Sequence, residues 1–141
     1  MKKKIIKYVT AVLLVLSVLG LTSCEKYKSS WNASGFVHSN TSKSAEMGFW
    51  KFEGTIVFKL NCKDSTKEVL NYSGKLNDED KEENGRITVY CDMDGTKKEL
   101  FSLKNGESVE ASLDKLKEGI VYIIVETDGQ CENGSLEFNI E

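Results

Sequence analysis

The chain has 141 residues, 19 basic and 22 acidic, for a net charge of −3, with 40% hydrophobic residues and no proline. That is enough for one domain with a real core, and too acidic for a nucleic-acid binder or for a surface held to anionic lipid by charge alone. A single histidine, His38, and four cysteines with no CxxC spacing leave little from which to build a zinc site.

In chain order, the first element is a leader. Lys2, Lys3, Lys4 and Lys7 precede an apolar run from Val9 to Leu19 that only Thr10 and Ser17 interrupt. The run is too short to stay in a bilayer as a span and reads as a cleaved secretion signal. It ends in Leu21-Thr22-Ser23-Cys24, which resembles the lipobox of bacterial lipoproteins. The resemblance implies that residues 1–23 are removed and that Cys24 becomes a lipidated N-terminus. The domain is then anchored to the cell membrane or the outer membrane and folds outside the cytoplasm. Loss of the leader's four lysines takes the net charge from −3 to −7.

Residues 24–45 are rich in Ser, Asn, Thr and Lys without a sustained apolar period, as expected of a flexible stalk. Trp31, Phe36 and Val37 are exceptions, for which the choices are an edge strand folded back on the domain or an exposed contact. From residue 46 to 141 the apolar period is two. Ile56, Phe58, Leu60 and Cys62 share a face, as do Leu70 and Tyr72. Ile87, Val89 and Cys91 do the same, followed by Val109, Ala111 and Leu113, and finally Leu136, Phe138 and Ile140. Trp50 alternates with Phe52 and is expected in the core. The pairs Asn84-Gly85, Asp94-Gly95, Asn105-Gly106, Glu118-Gly119, Asp128-Gly129 and Asn133-Gly134 supply turn signals between the runs. The expectation is an all-β fold, an antiparallel, jelly-roll-like β-sandwich of seven to eight strands. The one helix candidate, Leu113 to Glu118, is barely longer than a turn.

The strand Gly119–Glu126 is apolar on both faces. Val121, Ile123 and Val125 point inward, while Ile120, Tyr122 and Ile124 form a second apolar face. Either the stalk or a long loop covers that second face, or it meets a partner. With Cys24 lipidated, Cys62, Cys91 and Cys131 remain. Alternation places Cys62 and Cys91 inward at strand ends of one pole, so a Cys62–Cys91 disulfide is the expected pairing if any bridge forms; otherwise the three are small buried hydrophobes.

The order of motifs from Phe52 onward resembles a group of small secreted or lipid-anchored bacterial β-sandwich proteins. The motifs are Phe52-Glu53-Gly54-Thr55, the Gly85-led strand running into Asp92-Met93-Asp94-Gly95, Gly119 to Val125, and Gly134-Ser135-Leu136-Glu137-Phe138. The resemblance implies the fold and an envelope location, and brings no catalytic residues with it.

The chemistry-bearing residues are few. Asp92 and Asp94, with Glu99 nearby, are calcium candidates at a tight turn that the Asp94-Gly95 pair also explains without metal. Asp78 to Glu83 is an acidic run between strands. His38 falls in the stalk, where it makes no catalytic triad. The expected function is that of a lipid-anchored envelope protein with no enzymatic activity and no cofactor, acting as a structural module or docking a protein through Ile124. The alternative is a carbohydrate-binding module that stacks sugars on Tyr90 and Tyr122. A carboxylate-based hydrolase is a third reading, for which no particular pair of carboxylates stands out.

Overall fold

The computed structural model describes residues 26–77 and 85–141. The leader, Cys24 and the acidic run from Asp78 to Glu83 lie outside the described residues. Nine strands follow in order: β1 (Ser30–Ser34), β2 (Val37–Asn40), β3 (Ser44–Cys62), β4 (Leu70–Leu76), β5 (Arg86–Asp92), β6 (Lys98–Leu103), β7 (Ser108–Leu113), β8 (Gly119–Asp128) and β9 (Cys131–Ile140). All pairings are antiparallel, in the order β6-β5-β8-β3-β9-β4-β7, with β1 and β2 on the other edge of β3. The antiparallel sandwich expected from the sequence is the fold, with nine strands among the described residues where seven to eight were expected.

The nineteen-residue β3 belongs to both layers. Its first part, Ser44 to Phe52, pairs with β9, and its last part, Thr55 to Cys62, pairs with β8. The change of partner falls at Gly54, where φ is +129°. A Cβ there would lie 2.3 Å from the Ser30 carbonyl oxygen and 2.7 Å from Trp31 Cα, so only glycine lets β1 cross this bend. One layer is therefore β6-β5-β8 with the end of β3. The other is β7-β4-β9 with the start of β3 and β2.

Between the layers the inward residues of the period-two runs interlock. Phe52, Phe58, Leu60, Ile87, Val89, Val121, Ile123, Val125, Leu136 and Phe138 are all buried. Tyr72 of one layer stacks on Phe101 of the other at 5.4 Å, and Phe58 and Phe101 each lie 6.4 Å from Phe138. Such ring pairs add about 1 kcal/mol each to the burial of their area.

Two elements differ from the sequence expectation. Over its described part the supposed flexible stalk, residues 24–45, supplies two strands: Trp31, Phe36 and Val37 fold back along β3, where Phe36 packs on Phe52 while Trp31 and Val37 stay exposed. The backbone groups of β3 that face away from β8 and β9 need partners, and this segment provides them. β1 and β2 pair with β3 directly. Beyond them, the Val57 N–H donates to Ser29 Oγ at 2.9 Å. The Lys59 N–H donates to Asn40 Oδ1, the Asn40 side-chain amide donates to the Lys59 carbonyl, and the Asn61 N–H donates to the Ser42 carbonyl. The short helix candidate is also absent: residues 114–118 are irregular, with Leu116 tucked into the core.

Candidate functional site

The two outer faces of the sandwich differ. On the β6-β5-β8-β3 layer, alternation turns Tyr90, Asp92, Tyr122 and Lys59 outward. That face is partly covered by the chain itself. Tyr27 packs edge-on against Tyr122 with ring centroids 5.4 Å apart, and Lys97 Nζ sits 4.2 Å above the Tyr90 ring. Ile124, expected to be a sticky exposed residue, is 1% exposed. Its cross-strand neighbours are Val57 and Tyr90, so it lies in the middle of a four-strand layer rather than at a rim. Of the three apolar outward residues, Ile120 at the strand's end is the one left exposed. The covered account holds for Ile124, which leaves docking through it no open surface. Tyr90 and Tyr122 are half-buried, their rings engaged by Lys97 and Tyr27, and a hollow of about 430 Å³ lined by Tyr27, Lys28, Ser29, Val57 and Lys59 lies on the same face.

Asp92 shows what holds the cover down. Its side chain is almost fully buried, yet Lys26 Nζ lies 2.7 Å from Oδ2, the Tyr27 hydroxyl donates to Oδ2, and the Gly95 N–H donates to Oδ1 at 2.8 Å. Burial by itself raises a carboxyl pKa. Here the ammonium, the hydroxyl and the N–H together outweigh it and hold Asp92 down at about 2. The same hydrogen bond, with burial and the Asp92 charge adding to it, pushes the Tyr27 hydroxyl up to about 12. Asp94 is engaged separately, by Lys117 Nζ at 3.1 Å and the Thr96 N–H, and Lys117 holds its carboxyl below the usual range. The two aspartates thus face different cations instead of a common point. Among the described residues no group of three or more His, Cys, Asp or Glu side chains converges as a metal site. The calcium reading of Asp92 and Asp94 is not what the geometry shows.

The cysteines are corrected as well. Cys62, Cys91 and Cys131 are all buried free thiols. Cys62 lies opposite Gly119, and Cys91 opposite Ile123, on the two flanks of β8. Two strand spacings and four residues along the strand put their Cα atoms about 16 Å apart, far beyond the roughly 7 Å a disulfide spans. Burial, with the Asp92 charge behind it, pushes the Cys91 thiol up to about 11; burial first, then Asp128, does the same for Cys131.

The other outer face is open. On β2-β3-β9-β4-β7 the outward residues fall into transverse rows set by the strand register. One row is Ser44, Asn139, Asn71 and Ser112; the next is Ser39, Glu46, Glu137, Ser73 and Glu110; the third is Val37, Gly48, Ser135, Lys75 and Ser108. Two adjoining hollows of about 530 and 400 Å³ run along this face and share Ser73, Glu110 and Glu137. Glu46 and Glu137 are directly opposed, which puts their Cβ atoms about 5 Å apart, an unfavourable like-charge pair. The amides are oriented rather than loose: Ser112 Oγ donates to Asn71 Oδ1 at 2.7 Å, and the Asn139 amide donates to Glu141 at 2.8 Å.

Trp50 stands at the edge of this face. The ladder runs from Phe49 opposite Gly134 to Lys51 opposite Glu132 and passes over Trp50. Alternation slips at that point, so that Phe49 and Phe52 are both buried while Trp50 is 71% exposed. The core position expected from its spacing to Phe52 is lost because the two residues lie on either side of this slip. Trp50 instead continues the outward series of Glu46 and Gly48. It is also held: a Cβ on Gly35 would come within 2.5 Å of the indole, so the ring lies against the bare glycine backbone of the β1–β2 turn. Two residues beyond Gly48, it is about 8 Å from Ser135 by strand spacings. The slip is invisible to periodicity, and the groove residues carried no signal beyond polar alternation.

No protein-family model matches the chain, and no curated protein matches it. Among solved structures the chain is similar in fold to TmCBM61, described in complex with beta-1,4-galactotriose, with TM-score 0.45 and 12% identity over 79% of this chain and 87% of that one. Xylanase10C from Cellvibrio japonicus, in complex with xylopentaose, aligns at TM-score 0.41 and 11% identity, over 78% of this chain but 26% of its own. A CBM4 structure aligns at TM-score 0.31 and 12% identity, over 77% of this chain and 76% of that one. These are likenesses of strand arrangement.

Proposed function

We propose that this protein is a lipid-anchored, non-catalytic module that binds neutral glycans outside the cytoplasm, along the β2-β3-β9-β4-β7 face. The observation that carries the reading is Trp50, 71% exposed yet braced on Gly35, on the same outer face as the two polar hollows and about 8 Å from Ser135, which lines the nearer one. A large rigid aromatic beside polar hollows suits a ligand with apolar C–H faces and many hydroxyls, as a sugar has. Glu46, Glu110 and Glu137 accept hydrogen bonds from hydroxyls and repel polyanions, which favours neutral glycans over polyuronates. Anchoring follows from the resemblance of Leu21 to Cys24 to a lipobox. Protein docking through Ile124 has no supporting surface.

The test is affinity electrophoresis and calorimetry of the purified protein against soluble neutral glycans and a polyuronate. Trp50→Ala should weaken retention by a neutral glycan about tenfold or more, at an unchanged melting temperature. Full retention by Trp50→Ala, or preference for the polyuronate, would overturn the reading.

A further inference from the structure

We infer that the domain is seated directly on the face of the phospholipid bilayer that holds its lipid, standing on the pole made by loops 41–43, 63–69, 93–97 and 114–118. This goes beyond glycan binding and rests on the anchoring of Cys24 stated above. From Lys26 onward the chain is fixed to the domain: Lys26 and Tyr27 on buried Asp92, Ser29 on the Val57 N–H, and β1 immediately afterwards. Asp92 marks a pole, because Cys62 faces Gly119, Asp92 faces Tyr122 and Cys91 faces Lys98 where four strand ends converge. Only Glu25 stands between Lys26 and Cys24, and two residues of chain reach about 7 Å at full extension. A lipid on Cys24 therefore draws this pole to the headgroup layer and leaves no length for a stalk.

Charge is compatible with the same pose. The four loops carry Lys43, Lys63, Lys67, Lys97, Lys115 and Lys117 against Asp64, Glu68, Asp94, Asp114 and Glu118, so an anionic surface meets no net negative charge in them. At the opposite pole β4 ends and β5 begins. Exposed Ile120 belongs to the seated end, next to Gly119.

Depth-dependent quenching tests the pose. The lipidated full-length protein would carry a fluorophore on Thr96→Cys at the seated pole, or on Lys104→Cys about 25 Å away across β6. The native thiols, buried, would stay unlabelled. In mixed phosphatidylglycerol and phosphatidylcholine vesicles with spin-labelled headgroups, the Thr96 probe should be quenched at least twofold and the Lys104 probe not measurably. Lys26→Gln with Tyr27→Phe, which frees the strap but leaves the core intact, should bring the two probes together. Equal quenching in the parent protein would overturn the seated pose while leaving the anchor intact. Failure to enter vesicles at all would instead remove the anchor, and the pose with it.

Discussion

The two outer faces of this sandwich teach opposite lessons about where a protein binds. The face richer in apolar and aromatic residues, with Tyr90, Tyr122 and Ile124, is largely covered by its own N-terminal segment and by lysines laid over its rings. The face made of serine, asparagine and glutamate is open, and carries a single exposed tryptophan. Apolar content on a strand signals that something covers it, and here the cover is intramolecular. The open face carries a like-charge pair, Glu46 against Glu137, that stability alone would not select.

The comparison can be broken most severely at Ile124. Ile124→Asp places an unpaired carboxylate in a site that is 1% exposed, and should cost about 4 kcal/mol or more in urea denaturation. A loss below about 1 kcal/mol would mean that the face is open after all.

Next in size is Asp92→Asn, which removes the charge that Lys26 and Tyr27 grip. Because Lys26 is 43% exposed and finds water when released, the expected loss is about 2 kcal/mol rather than that of a fully buried pair. The same latch sets a pH window. Asp92 is held at about 2 against an ordinary 3.8, so its contribution is present above pH 3.8 and drains away as pH falls toward 2. Tyr27 is raised from 10.0 to about 12, so its contribution is present below pH 10 and lost as pH rises toward 12. Thermal melts of the parent and Asp92→Asn across both windows should converge at the extremes. Parallel curves throughout would contradict the latch.

The smallest effects sharpen the contrast. Tyr90→Ala should leave glycan retention unchanged, because its ring faces Lys97 on the covered side. Reduction should shift the mass of the native protein by nothing, where a disulfide would add two hydrogens; a shift would reinstate a bridge that the strand positions forbid.

What the sequence determined by itself was the β class and most of the inward residues. Period-two runs such as Ile56 to Cys62 and Leu136 to Ile140 have one buried face whatever their neighbours, and the turns at Asp94-Gly95, Asn105-Gly106 and Asp128-Gly129 are local. Asn133-Gly134 shows the limit of that logic. The pair reads as a turn but lies inside β9, because Asn133, with φ of +52°, accompanies the slip in alternation opposite Trp50. Only the tertiary structure decided that β3 serves both layers, that residues 26–40 seal its open edge, and that Trp50 meets water while Ile124, on the other outer face, is covered. Each of those outcomes depends on pairings between residues tens of positions apart. A period read along one strand tells which residues share a face, but the neighbouring strands and the covering segment decide whether that face meets water.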